Sequence, residues 1–211
     1  MGALKGTISY TKLFLRGEGP KVVDDDLVDR VRLRAFRPLD ASEDDEQRAG
    51  WVAIDNPFDF VIDRTKMLYG PYLNLGLRVD RWRIPAPLFK AHFAEAERAH
   101  LAERGREKLS RREKDELKTF VQKRLRKMLV PSMKVVDLSW NLDTGVVRFW
   151  SGASAMHDLL GELFDASFGK SLVPESPYTA GAALGLSDAE LDRFDQLDPT
   201  VFHAEPAERE G

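Results

Sequence analysis

Alternating apolar and polar residues predict strands in both halves of the chain. The clearest are residues 135–140 and 146–150, and the Asp143-Thr144-Gly145 sequence between them is typical of a hairpin turn. Because such a turn joins antiparallel neighbours, we expect these two strands to pair. The complete set of predicted strands is 6–15, 51–54, 58–63, 72–79, 135–140, 146–150 and a short edge strand at 172–174.

Apolar residues spaced three and four apart predict helices between the strands. Ser110 with Glu113, and Ser187 with Glu190, have the S-x-x-E spacing of a capping box, in which each side chain accepts a backbone N–H. Gly169 fits the position just after a helix, where the backbone becomes left-handed. The predicted helices are 24–36, 85–103, 110–129, 154–168 and a short helix from 187.

This order of elements predicts an α+β fold, with a mixed or antiparallel sheet body and amphipathic helices. We expect residues 1–83 and 131–175 to form the body, and 84–130 to form a helical hairpin. The apolar stripe of the second hairpin helix is narrow, so the hairpin should project from the body or pair with another chain. Residues 176–211 are expected to be a short acidic extension that is partly disordered.

Charge is distributed unevenly along the chain. The formal net charge is -3, but residues 78–134 hold seventeen Lys or Arg against eight Asp or Glu, a net of +9. The rest of the chain therefore carries -12. Two interpretations follow: a solvated helix pair held by weak ion pairs, or a surface that binds a polyanion.

Composition excludes several classes of protein. The chain has no cysteine, which excludes disulfides, a thiol nucleophile and a cysteine zinc site. No apolar run approaches the roughly 18–20 residues that span a membrane. Lys5, Lys12 and Arg16 interrupt the first twenty residues, so they do not resemble a secretory signal. We expect a cytoplasmic protein without membrane contact.

The sequence offers little catalytic chemistry. It has no phosphate-binding loop, dinucleotide fingerprint, H-E-x-x-H or G-x-S-x-G motif. His92 and His100 are about 12 Å apart along a helix, too far to share a metal ion. The Asp24-Asp25-Asp26 run could hold Mg²⁺ in a nuclease, but acids at a helix start more often complement its dipole. We expect no catalytic residue, no metal and no cofactor.

Binding chemistry is better represented, because basic residues crowd the start, the turn and the end of the predicted hairpin. Such groups neutralise phosphates without reading bases. The chain has no helix-turn-helix, zinc-finger or RNA-binding motif, and Trp82 beside prolines fits packing better than base stacking. The candidate DNA-binding residues are Arg81, Arg83, Arg104, Arg106, Lys108, Arg111, Arg112, Lys118, Lys123, Arg124, Arg126 and Lys127.

Four stretches, in this order, also resemble a known family. They are Ala35-Phe36-Arg37-Pro38 with Gly50-Trp51-Val52; Arg83-Ile84-Pro85-Ala86-Pro87-Leu88; Arg112-Glu113-Lys114-Asp115-Glu116-Leu117-Lys118 with Leu129-Val130-Pro131; and Trp140, Asn141 and Gly145 with the region from Ser151 to Leu172-Val173-Pro174. Over about residues 5–175 the chain is similar to the bacterial recombination-associated protein RdgC family.

The resemblance implies a non-enzymatic, nucleoid-associated protein that binds double-stranded DNA. Members of that family form a ring-shaped dimer around DNA and restrain the RecA recombinase by limiting its access to DNA. The hairpin 84–130 would correspond to their helical tip. Family members are longer than this chain, so a tip-to-tip dimer, an open clamp and another oligomer all stay open. An alternative function is a protein-interaction or dimerisation module whose basic hairpin engages an acidic partner.

Overall fold

The computed structural model describes residues 2–4, 9–20 and 22–197 of the chain. Its strands are β1 Thr11–Leu15, β2 Gln47–Val52, β3 Leu68–Tyr69, β4 Tyr72–Arg81, β5 Ser132–Asn141, β6 Val146–Phe149 and β7 Leu172–Pro174. Its helices are α1 Asp25–Leu33, α2 Arg64–Met67, α3 Ala86–Arg104, α4 Arg111–Arg126, α5 Ser154–Phe168, α6 Pro177–Ala183 and α7 Asp188–Asp195.

All described strands join one antiparallel sheet, in the order β2-β4-β5-β6-β1-β7, with β3 paired to β4. The two longest strands, β4 and β5, lie side by side, and their register runs from Tyr72 opposite Asn141 to Arg81 opposite Ser132. The predicted α+β class is therefore confirmed, and the sheet is antiparallel rather than mixed.

One face of the sheet carries the hydrophobic core, which α1 and α5 cover. Leu73, Leu75 and Leu77 of β4 alternate towards this face and are fully buried. Trp140 of β5 is also fully buried, with its ring 5.3 Å from the ring of Phe164 on α5. The helix spacing of α5 places its apolar residues on the sheet, as predicted for residues 154–168.

The opposite face of the sheet buries polar residues. Arg78 donates from Nε and Nη2 to the two carboxylate oxygens of Asp80, at 2.8 and 2.6 Å. The guanidinium also lies over the ring of Phe36, 4.2 Å from its centroid. Asp137 on β5 accepts the backbone N–H of Ala3 at 2.7 Å. Paired groups of this kind are how charge is tolerated away from water.

The predicted strand at 58–63 is wrong. The side chains of Asn56 and Asp59 accept the backbone N–H groups of Phe58 and Val61, at 3.0 Å each. These contacts fold the segment into successive turns, because Asn and Asp side chains compete with strand pairing for the backbone. Arg78 then donates from Nη1 to the carbonyl of Pro57, which fixes the segment to the sheet.

Helix α1 ends at Leu33, earlier than predicted, because the following residues join the sheet edge. Trp51 N–H donates to the carbonyl of Arg34, and Phe36 N–H donates to the carbonyl of Trp51. Gly50 is required here, since an added Cβ would lie 2.5 Å from the backbone of Phe36.

The C-terminal extension forms two short helices in its described part. Ser187 and Glu190 make the predicted capping box at the start of α7. Among the described strands, β7 pairs with β1 alone and is an edge of the sheet, as predicted. Residues 6–8 of the predicted strand 6–15 lie outside the described residues. So do residues 198–211, on which most of the expected disorder of the extension falls.

Candidate nucleic-acid interface

Helices α3 and α4 form the predicted hairpin, inserted between β4 and β5. Gly105 ends α3 in the left-handed conformation, at φ 59°. No residue of α3 is buried, and the buried residues of α4 are Val121, Leu125 and Arg126, all in the part nearest the sheet. The sixteen residues of α4 separate the turn of the hairpin from the sheet by about 24 Å.

The turn of the hairpin is organised by Glu113. Its carboxylate accepts the Ser110 N–H at 2.9 Å and completes the predicted capping box. It also accepts Nη1 of Arg104 at 2.9 Å and Nη1 of Arg106 at 3.4 Å. The hydrogen bonds from Ser110, and then the two guanidinium groups, lower the pKa of Glu113. One acid thus holds two of the predicted DNA-binding arginines in place.

We call the basic residues around this turn the turn cluster. They are Arg104, Arg106, Lys108, Arg111 and Arg112. All are exposed, and Lys108 and Arg111 form no ion pair with another described residue. Arg112 pairs with Glu116 one helical turn away, at 2.9 Å. Exposed pairs of this type contribute only about 0–1 kcal/mol, so a phosphate can replace the carboxylate at little cost.

A second basic group lies where the hairpin joins the sheet. We call it the sheet-end cluster: Arg81, Arg83, Lys123, Arg124, Lys127 and Lys134. Arg81 is opposite Ser132, and Val79 is opposite Lys134, so Arg81 and Lys134 share one face of the sheet. Arg83 donates from Nε to Ser132 Oγ at 3.2 Å, which places it beside them.

Lys134 was not among the predicted binding residues. Its sequence position suggests only the start of a strand, and it meets Arg81 through the pairing of two strands separated by the whole hairpin. Finding Lys134 would have required the pairing register of β4 and β5. The predicted strands, 72–79 and 135–140, were too short to include either Arg81 or Lys134.

Arg124 and Lys127 are exposed and form no ion pair with another described residue. Lys123 is half-buried and contacts Asp44 at 2.8 Å, and Lys118 contacts Asp115 at 3.1 Å. The structure therefore brings eleven of the twelve predicted residues to the surface, in two clusters with Lys118 between them.

Arg126 is the exception and was wrongly predicted to be an exposed phosphate ligand. Only 6% of it is exposed, and its Nη1 donates to the backbone carbonyl of Glu43 at 3.0 Å. It is the last residue of α4, and its side chain turns towards the body, where the carbonyl of Glu43 lies. Its guanidinium is used inside the protein and leaves no room for a phosphate.

The Asp24-Asp25-Asp26 run is used by the helix that it begins. Asp24 caps α1 by accepting the N–H of Leu27 at 2.9 Å. Asp25 pairs with Arg64 and Asp26 with Arg30. Within the described residues no three His, Asp or Glu side chains are placed to hold a metal ion. The dipole interpretation explains these acids better than a nuclease site does.

Comparison with known proteins adds no relative. No protein-family model matches the chain, and no curated protein matches it either. In the part of the chain that the structure describes, no helix is long and apolar enough to cross a membrane. The resemblance to the RdgC family therefore stays a prediction from the quoted stretches.

Proposed function

We propose that the chain binds double-stranded DNA without sequence preference and modulates homologous recombination by limiting the access of the RecA recombinase to DNA. The observation that carries the DNA-binding part is the pair of exposed basic clusters at the two ends of α4. The recombination part, with a nucleoid location and a homodimer, rests on the resemblance to the RdgC family.

The spacing of the clusters suits a duplex. A distance of about 24 Å corresponds to roughly seven base pairs along the axis of B-form DNA. Both clusters consist of long Lys and Arg side chains, which can bind phosphates whatever the base sequence. Because Lys and Arg are the residues that bind phosphate oxygens, contacts to the phosphate backbone are expected to dominate.

A fluorescence anisotropy titration with a labelled duplex tests this proposal. The chain should bind at low salt, and its affinity should fall steeply as salt rises, because bound cations are released from the DNA. A variant with five substitutions, Arg81→Gln, Lys108→Gln, Arg111→Gln, Arg124→Gln and Lys127→Gln, should lose at least about tenfold in affinity and have a shallower salt dependence.

The matched control removes five basic residues outside the hairpin and the sheet end. Arg16, Arg34, Arg37, Lys170 and Arg193 form no ion pair with another described residue, and their change to Gln alters net charge by the same amount. This variant should keep nearly all of the affinity. Equal losses in both variants, or no binding by the original chain at low salt, would refute the proposed site.

The alternative of a protein-interaction module is favoured by one observation: large apolar side chains are exposed on the same hairpin. Phe120 is 59% exposed and Val130 is 89% exposed. Phosphates gain nothing from such residues, whereas a protein partner does. If this function is correct, light scattering should give twice the chain mass, Phe120→Ser should abolish the dimer, and the chain should not bind the labelled duplex at low salt.

A further inference from the structure

An acid-rich loop lies against the sheet end of the basic hairpin. This acidic loop, residues 40–46, contains five Asp or Glu and no Lys or Arg. Asp44 accepts Nζ of Lys123 at 2.8 Å, and this hydrogen bond lowers the pKa of Asp44. The loop therefore presents carboxylates to the same cations that we assign to DNA phosphates.

Hydrogen bonds and ion pairs from two arginines hold the loop in this position. Buried Arg126 donates from α4 to the carbonyl of Glu43, across 83 residues of sequence. Arg48 binds the carboxylates of Glu43 and Asp45 and donates to the carbonyl of Pro38 at 3.0 Å. These two arginines fix the ends and the middle of the loop, so its position beside α4 does not depend on exposed ion pairs alone.

Other carboxylates of the loop also act on the hairpin. Asp40 accepts the N–H and Oγ of Ser42, and these bonds, followed by the nearby charges of Arg48 and Lys127, lower its pKa. Glu46 is exposed and forms no ion pair with another described residue. Because Arg48 offsets only part of the loop's charge, we expect the loop to weaken the attraction of the sheet-end cluster for phosphates.

We propose that the acidic loop is an internal competitor whose Asp44 occupies Lys123 of the sheet-end cluster until a phosphate of a DNA duplex takes its place. This inference rests on the proposed DNA binding. Phosphates that reach the sheet end must exchange with Asp44 at Lys123 and must approach Asp40 and Glu46. DNA that contacts only the turn cluster exchanges with Glu113 and Glu116 and does not meet the acidic loop. The loop thus reduces the affinity of duplexes that engage the sheet-end cluster and leaves contacts to the turn cluster alone unaffected.

The test removes three charges that neither Arg48 nor Arg126 binds. Asp40→Asn, Asp44→Asn and Glu46→Gln together keep Glu43, Asp45 and their partners Arg48 and Arg126. This triple variant should bind a labelled duplex about fivefold more tightly than the original chain at low salt, because it removes repulsion within a Debye length of the bound phosphates. Circular dichroism and the melting temperature should match those of the original chain.

The control variant carries Asp158→Asn, Glu162→Gln and Asp165→Asn on the exposed side of α5. These residues form no ion pair with another described residue, and their loss changes net charge equally. Screening should keep their effect on affinity below about twofold. A triple variant that binds no better than this control would overturn the internal competitor while leaving DNA binding intact. Failure of all three proteins to bind at low salt would overturn both proposals, and binding by the triple variant alone would support both.

Discussion

The sheet body and the hairpin use the same residue types in opposite ways. In the body, Arg78 is buried between an acid and aromatic rings, and it fixes a loop to the sheet. In the hairpin, Arg111 and Arg124 are exposed and form no ion pair with another described residue. Burial decides whether an arginine stabilises the fold or stays available to a ligand, and Arg126 shows that the boundary can fall within one helix.

The largest difference between the two regions should appear when an aromatic side chain is removed. Trp140 is fully buried and packs on Phe164 and Phe168. Trp140→Ala should lower the free energy of unfolding by about 4 kcal/mol, since it loses burial and leaves a cavity. Phe120→Ala on the hairpin should change it by no more than about 0.5 kcal/mol. Urea denaturation monitored by circular dichroism measures both.

Similar losses in the free energy of unfolding from these two substitutions would contradict the expected difference between the body and the hairpin. They would mean that Phe120 is covered by protein in solution, as the protein-interaction alternative requires. Repeating the urea titration at two protein concentrations separates the cases, because only an interface makes the stability depend on concentration.

Removing one partner of a charge pair should also affect the two regions differently, with a smaller difference in the free energy of unfolding. Asp80→Asn leaves the buried guanidinium of Arg78 without its bidentate partner, and we expect a loss of about 3 kcal/mol in the free energy of unfolding. Glu116→Gln removes the partner of exposed Arg112 and should cost under about 1 kcal/mol. Adding Arg78→Met to Asp80→Asn should recover part of the loss; a double variant that is less stable than the single one would refute the idea of an uncompensated charge.

The smallest effects concern pH and should have opposite signs in the two regions. Burial raises the pKa of Asp137 in the body, although the N–H of Ala3 acts in the other direction. The folded state then holds more protons than the unfolded state above the ordinary value of 3.8, so this group reduces stability as pH rises through its folded pKa. Asp137→Asn should therefore gain stability relative to the original chain with rising pH.

In the hairpin the pKa of Glu113 is lowered, chiefly by the hydrogen bonds from Ser110. Its contribution is present above the unfolded pKa and is lost as pH falls through the folded pKa. Glu113→Gln should therefore lie closest to the original chain in acid and fall below it towards neutral pH. Thermal melts at a series of pH values measure both variants, and curves that shift in the same direction would refute the contrast.

Much of the fold follows from local patterns, and the exceptions have local causes. The helix at 154–168 and the two S-x-x-E capping boxes were predictable because the interactions that define them lie within one or two turns. The strand at 58–63 was not, because its apolar residues Phe58, Phe60 and Ile62 alternate like a strand while Asn56 and Asp59 bend the backbone. Alternation alone does not distinguish these cases.

The candidate site was predictable in composition and not in arrangement. Clustered Lys and Arg already indicate a surface that attracts phosphates. Which arginine turns inward depends on what the body places beside α4, and the partner of Arg126 is a backbone carbonyl that carries no sequence signal. The contact between Asp44 and Lys123 is hidden for the same reason, since it joins residues far apart in the chain.

The position of the hairpin between two paired strands has a consequence for engineering. Arg81 and Ser132 are direct neighbours in the antiparallel register, so the chain leaves the sheet and returns to it at a single point. All other strand pairings are made by residues outside this excursion. Hairpins of different length or charge can therefore be grafted between Arg81 and Ser132 without changing a strand pairing, provided that each keeps the end of α4 where Val121, Leu125 and Arg126 are buried.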